Sequence, residues 1–276
     1  MKTHSALVSV VAAACAALTP TLHADISGFG DYSTDWNFQR LDSAPPFAPS
    51  GNGIQLSTST GGDQRRNYYN LHPQDVTRFV ASFTYRAGAT NALQSLDSGL
   101  SFVLFTNAAS SNGTPSGGNG GSWGLVFPNN NPANQNRLNP SVALVLGLPP
   151  TSSPNSSGAG FYTNGSVGGS LPSTGMVNLG ADHPIDVTVR YNQVGDLPNF
   201  LYLTLSDPLS GAVYAPSPTF LPVASTLGAS TAFVGFTTFS RGSEQVITNF
   251  QFNAVPAPAG AAVLGLGVLA AFRRRR

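Results

Sequence analysis

Phe79, Ala81, Phe83 and Tyr85 alternate with less apolar residues, and the same period of two returns at Ile185, Val187, Val189 and Tyr191 and at Leu201, Leu203 and Leu205. A period of two is that of a half-buried strand, whose successive side chains point to opposite faces of a sheet. Leu100 to Phe105, Val142 to Leu148, Ala232 to Phe236 and Val246 to Phe252 are denser in apolar residues and suit strands at a sheet centre or buried on both faces. Clusters of Gly, Pro, Asn and Ser separate them, at Ala108 to Ser122, Pro128 to Pro140 and Pro149 to Gly160, and these read as loops. No segment between the chain's ends carries a convincing helical period, although a short helix fits within a loop. Many strands joined by long polar loops predict an all-β fold, a two-sheet antiparallel sandwich or jelly roll, with flexible signal segments at the termini. No repeat of fixed period is visible, which argues against a propeller or solenoid.

The termini differ from this body. Lys2 precedes an apolar stretch from Ala6 to Leu18, and Leu22-His23-Ala24 closes it with a small residue suited to cleavage. Residues 1–24 are therefore expected to be a signal peptide, with Asp25 the first residue of the mature chain. Cys15, the one cysteine, falls inside that segment as a small apolar residue. Removing it leaves a body with no disulfide and no thiolate, which must be stable through its core alone. At the other end, Ala259 to Phe272 is a 14-residue apolar run followed by Arg273, Arg274, Arg275 and Arg276. As a helix it would rise about 21 Å against a hydrocarbon thickness of about 30 Å, with the arginines on the cytoplasmic side. Domain boundaries follow as 1–24, 25–253 for the sandwich and 254–276 for the tail.

Charge narrows the partners. Eight arginines face twelve carboxylates between Asp25 and Glu244, an excess of four negative charges, so the body offers no basic surface for nucleic acid. Few charges with abundant Ser, Thr, Asn and Gly describe a neutral, polar extracellular β protein.

Catalytic chemistry finds little support. A glycosidase on a sandwich needs two carboxylates flanking the bond, yet Glu244 is the only glutamate and no Glu-x-Asp-x-Glu pattern occurs. The body's two histidines, His72 and His183, each precede a proline and read as loop residues rather than a metal site. Asp182-His183 could orient and serve as a base for a serine, but no Gly-x-Ser-x-Gly elbow accompanies it. The Gly-rich loop lacks the Gly-Lys-Ser/Thr of a phosphate cradle. The chain is read as a non-enzyme without cofactor.

VPAPAGAAVLGLGVLAAFRRRR (Val255 to Arg276) resembles the PEP-CTERM sorting signal, a Pro-Glu-Pro box followed by an apolar helix and an arginine cluster. Here Ala257 stands where that glutamate would be, between Pro256 and Pro258. The resemblance implies transient anchoring in the inner membrane, cutting by an exosortase near Pro256 to Pro258, and delivery to the cell surface or an extracellular matrix.

A second resemblance covers most of Trp36 to Phe252. LDSGLSFVLFTN (Leu96 to Asn107), SGGNGGSWGLVF (Ser116 to Phe127) and PSVALVLGL (Pro140 to Leu148) are similar, in order, to blocks of the legume-type (L-type) lectins. GFYTNGS (Gly160 to Ser166), IDVTVRYN (Ile185 to Asn192), LYLTLSD (Leu201 to Asp207) and TAFVGFTTFSRGSEQVITNFQF (Thr231 to Phe252) continue that order. The resemblance implies a concanavalin A-like jelly roll with loops at one end holding sugar beside paired calcium and manganese ions. Carried over, Asp97 and Ser98 stand at the family's sugar-binding turn, Gly120 and Gly121 in its Gly-rich loop, and Ser240 in the loop from Thr237 to Ser243. Trp123 could stack on a sugar ring or fill the core. Where the family's metal-binding strand carries a glutamate and an aspartate two residues apart, this chain has Val145 and Gly147, so no metal is expected there. The function expected is a surface or matrix protein with a lectin-like domain for a glycan or exopolysaccharide. Alternatives are a structural matrix protein that has lost the sugar site and, less favoured, a polysaccharide-active enzyme.

Overall fold

The computed structural model describes residues 25–30, 32–40, 52–59, 64–88, 98–107, 126–128, 135–148, 157–165, 171–240 and 242–255. The segments read from sequence as signals, 1–24 and 254–276, lie outside them apart from Ala254 and Val255.

Two antiparallel sheets carry the body. The eight-stranded sheet runs β1 (Ile26–Ser27), β17 (Gln245–Ala254), β6 (Phe79–Ala87), β12 (Ile185–Tyr191), β13 (Phe200–Ser206) and β14 (Val213–Tyr214), with β3 (Gly53–Ser57) also on β17 and β15 (Thr219–Phe220) also on β13. The seven-stranded sheet runs β11 (Gly158–Thr163), β10 (Ser141–Gly147), β7 (Gly99–Phe105), β16 (Thr231–Ser240), β4 (Gln64–Asn70) and β2 (Trp36–Arg40), with β5 (Gln74–Asp75) on β16. A separate hairpin joins β8 (Val126–Pro128) to β9 (Gln135–Arg137). Helix is confined to α1 (Tyr32–Asp35) and α2 (Val223–Leu227) among the described residues. Gly228 ends α2 at φ 68°, a left-handed conformation that glycine adopts without a Cβ penalty.

The alternation read from sequence is the alternation observed. Along β6 every second residue from Phe79 to Ala87 is buried, and β12 follows suit, because their outer faces meet solvent. β7 and β10 are buried at every position, as their denser apolar content requires. Their inner residues, among them Phe102, Leu104, Val142 and Leu144, join the main core. Their outer residues Val103, Phe105, Ala143 and Val145 join Tyr69 and Leu138 in a second apolar cluster on the far side of the seven-stranded sheet.

An aromatic seam fastens the two sheets. Phe236 on β16 meets Phe83 of β6 at 5.1 Å and Phe250 of β17 at 4.9 Å, both edge-on, and Phe102 of its own sheet at 5.7 Å. Edge-on and tilted rings at such spacings add about 0.5–1.5 kcal/mol per pair beyond their buried area. Trp36 stacks on Tyr68 at 4.8 Å, closing the seam at the β2 edge.

Two stretches read as loops contain strand. Gln135–Arg137 pairs with β8 among the described residues, and its Gln-Asn-Arg run carries no apolar alternation to mark it as strand. Gly158–Thr163 opens Gly-Ala-Gly, which hides its period of two, because the glycines stand where bulk is excluded from the outer face.

Candidate functional site

Antiparallel order brings the start of β7, the ends of β10 and β16 and the starts of β4 and β17 to one end of the sandwich. Gly99 pairs with both Phe239 and Gly147, and Ser240 pairs with Gln64. Ser98 and Ser240, named from the sequence, therefore lie next to each other beyond the Gly99–Phe239 pair. Buried polar residues collect here: Ser57, Gln64, Arg66, Thr238, Ser240, Ser243 and Gln245.

Hydrogen bonds tie this end together. The Ser98 carbonyl accepts the Leu148 N–H at 2.7 Å, and the Thr238 hydroxyl donates to the Gly99 carbonyl at 2.9 Å. The Ser240 hydroxyl donates to the Ser243 carbonyl at 2.7 Å and accepts the Ser243 N–H at 2.9 Å, so it is engaged within its own turn and buried. The Ser57 hydroxyl reaches the same Ser243 carbonyl at 2.6 Å. Tyr85 donates to Gln245 Oε1 at 3.3 Å, and burial pushes its phenol far up, so it stays neutral. Asp97, Gly120, Gly121 and Trp123 lie outside the described residues. Of the residues read as a sorting signal, Val255 is described, its N–H donating to the Arg78 carbonyl at 2.9 Å, while Pro256, Ala257, Pro258 and Arg273 to Arg276 lie outside the described residues.

The acids singled out in sequence have structural partners. Glu244 binds Arg86 at 3.0 Å and accepts from Gln55 Nε2 at 2.7 Å, and Asp182 binds the same guanidinium at 3.2 Å. His183 turns away from its neighbour Asp182. It places Nδ1 3.1 Å from the Ala181 carbonyl and Nε2 3.0 Å from Asp207 Oδ2. Sequence reading missed Asp207, a buried carboxylate at the end of β13. Burial alone would raise it. The Ser210 hydroxyl, His183 and the N–H groups of Ser210 and Leu209 outweigh that and hold it below the usual carboxylate range. The signal was the run Asp207-Pro208-Leu209-Ser210-Gly211, a turn in which an aspartate accepts backbone N–H groups ahead of it.

Val145 and Gly147, which the lectin resemblance aligns with ion ligands, are both buried on β10. Val145 lies between Ser101 and Gly160 in the ladder and belongs to the outer apolar cluster. Calcium and manganese need oxygen or nitrogen donors, and calcium six to eight oxygens, whereas Val145 and Gly147 offer no side-chain donor and Ser101 opposite offers one hydroxyl. Among the described residues no three of His, Cys, Asp and Glu group together. The residues present do not fit the ions.

No family model and no curated protein matches this chain. Solved structures do. A lectin from Bauhinia forficata in complex with GalNAc is similar over 83% of this chain and 97% of its own, at 17% identity and a TM-score of 0.57. A Lotus tetragonolobus seed lectin is similar over 85% and 100%, at 14% identity and 0.61. Arcelin-5, a lectin-like defense protein from Phaseolus vulgaris, is similar over 83% and 96%, at 17% and 0.54. At such identities the likeness is one of fold, and the body is a concanavalin A-like sandwich built like those of the legume lectins.

Proposed function

We propose that this chain is an exported, non-catalytic protein of the cell surface or extracellular matrix whose lectin-type sandwich binds a glycan or exopolysaccharide without bound ions. The carrying observation is coextension. The sandwich accounts for nearly the whole length of lectins such as the one solved with GalNAc, which supports a sugar-binding end on the same scaffold. Export rests on the features of residues 1–24, and delivery on the tail from Val255 to Arg276, which an exosortase would cut near Pro256 to Pro258 after transient membrane anchoring. A non-enzyme reading is supported by Glu244 and Asp182 sharing one guanidinium and by Asp207 being engaged in its own turn.

The burial of Val145 in an apolar cluster favours a second reading, a structural matrix protein that keeps the fold without the sugar site. A glycan array and a polysaccharide pull-down with the Asp25 to Ala254 body separate the two. Binding that survives a chelator supports the first. No binding to any glycan, with or without calcium, leaves the structural role.

A further inference from the structure

On the outer face of the seven-stranded sheet, the corner next to Val145 is almost without side chains. Gly147 of β10 pairs with Gly158 of β11, and Val145 pairs with Gly160. Neither Gly158 nor Gly160 has a positive φ, so backbone conformation does not demand glycine at either. Space does. A Cβ on Gly158 would stand 2.4 Å from Leu171 Cβ and 3.2 Å from the Pro172 carbonyl oxygen. One on Gly160 would stand 3.2 Å from the Tyr162 ring and 3.4 Å from Pro172 Cδ. The glycines form a trough, and Leu171 lies in it against the cluster that contains Val145.

The segment that follows is bound along its length. The Ala159 N–H donates to the Pro172 carbonyl at 2.9 Å, and the Thr174 N–H to the Ser157 carbonyl at 2.8 Å. The Thr174 hydroxyl reaches the Val177 carbonyl at 2.7 Å, and the Leu179 N–H reaches the Ser157 hydroxyl at 2.9 Å. Val177 and Leu179 are buried in the main core. The strap from Leu171 to Leu179 is thus seated at both ends, in the trough and in the core.

We propose that this strap, together with the apolar cluster around Val145, takes the place of bound ions as the fastening of this part of the candidate end, so that its shape is ion-independent and Leu171 and Gly158 are its positioning residues. Two carboxylates at 145 and 147 would need ions to sit buried, whereas a valine, a glycine and a leucine need only each other. The consequence for sugar rests on the glycan reading above, while the strap can be tested with no sugar present.

Hydrogen exchange of the full-length chain, read by mass spectrometry, supplies the test. In the wild type, exchange over 157–160 and 171–179 should be the same in calcium and in chelator. Gly158→Ala should speed exchange of residues 171–174 by roughly tenfold or more, as overpacking opens the strap locally, while β6, β12 and β13 stay protected. Leu171→Gly should speed exchange by itself, and in the Gly158→Ala background it should add little further, because the lost contact and the clash involve the same pair, a non-additive result expected of residues in contact. Should Gly158→Ala fail to fold, Leu171→Ala, which removes contact without a clash, should still speed exchange in the strap. Slower exchange or a higher melting temperature in calcium would overturn the proposal, as would unchanged exchange in Gly158→Ala or, should that variant not fold, in Leu171→Ala. A chain that meets these expectations and binds no glycan would keep the strap and lose the sugar.

Discussion

Placing carboxylates at the two positions that the lectin resemblance aligns with ion ligands, as Val145→Glu with Gly147→Asp, should cripple stability and create no calcium site. Val145 is fully buried between Ser101 and Gly160, with Val103, Phe105 and Ala143 in the same cluster. Losing a buried valine side chain costs about 1.5–3 kcal/mol. An uncompensated buried carboxylate costs several kcal/mol more, or is forced neutral with a raised pKa. Taking about 5 kcal/mol for the pair of changes, and about 2–4 °C per kcal/mol for a body of this size, the melting temperature should fall by about 10–20 °C. Calcium at one hundred times its dissociation constant would return about 2.7 kcal/mol if a site formed. None should form, because the two carboxylates bring at most four oxygens and Ser101 opposite one hydroxyl, where calcium requires six to eight. The assay is a thermal melt by circular dichroism in calcium and in chelator. A double variant that melts within a few degrees of wild type, or that recovers in calcium, would refute the reasoning that apolar packing fills this ground.

Asp207→Asn should destabilise the body by about 1–3 kcal/mol, because the amide cannot accept as the carboxylate does from Ser210, Leu209 and His183; urea melts measure it. The folded state depresses this carboxyl, so its stabilisation is present in full above the ordinary value of 3.8 and is lost as pH falls below it; the gap between wild type and variant should therefore close in acid and stay open at neutral pH. For the tail, the intact mass of protein released at the surface should lack residues after about Pro258, and recovery of a chain ending at Arg276 would contradict processing.

The sandwich was legible because its strands obey a rule that one sequence displays. Phe79 to Tyr85 and Ile185 to Tyr191 alternate since one face is dry and the other wet, and no knowledge of partners is needed to see it. β4 was harder. Its run Gln-Arg-Arg-Asn-Tyr-Tyr-Asn carries buried Gln64, Arg66 and Asn67, whose burial depends on polar neighbours from β16 and the turns at that end. β11 was hidden for the opposite reason, its outer residues reduced to glycine by a segment that lies over it. At the candidate end, sequence named Ser98 and Ser240, but it could not show that the Ser240 hydroxyl is spent on Ser243. Asp207 escaped because His183, which meets it across the fold, comes from another connection, while Ser210 is a neighbour in its own turn.

Low identity with the legume lectins and close correspondence of fold have a common cause. An inner face asks for apolar residues of suitable volume in alternate places, and many sequences satisfy that. The outer face of β10 admits fewer solutions. Acids at 145 and 147 require ions and the donors that complete their shells; valine and glycine require an apolar cover. A mixture is the costly state, since one carboxylate among Val103, Ala143 and Leu171 would be buried with no countercharge, and one valine among ion ligands would leave a metal short of donors. The two positions must therefore change as a unit with whatever lies over them. In a chain of this fold, the pair at 145 and 147 and the bulk allowed at 158 and 160 report the same physical choice, and here all four suit an apolar cover.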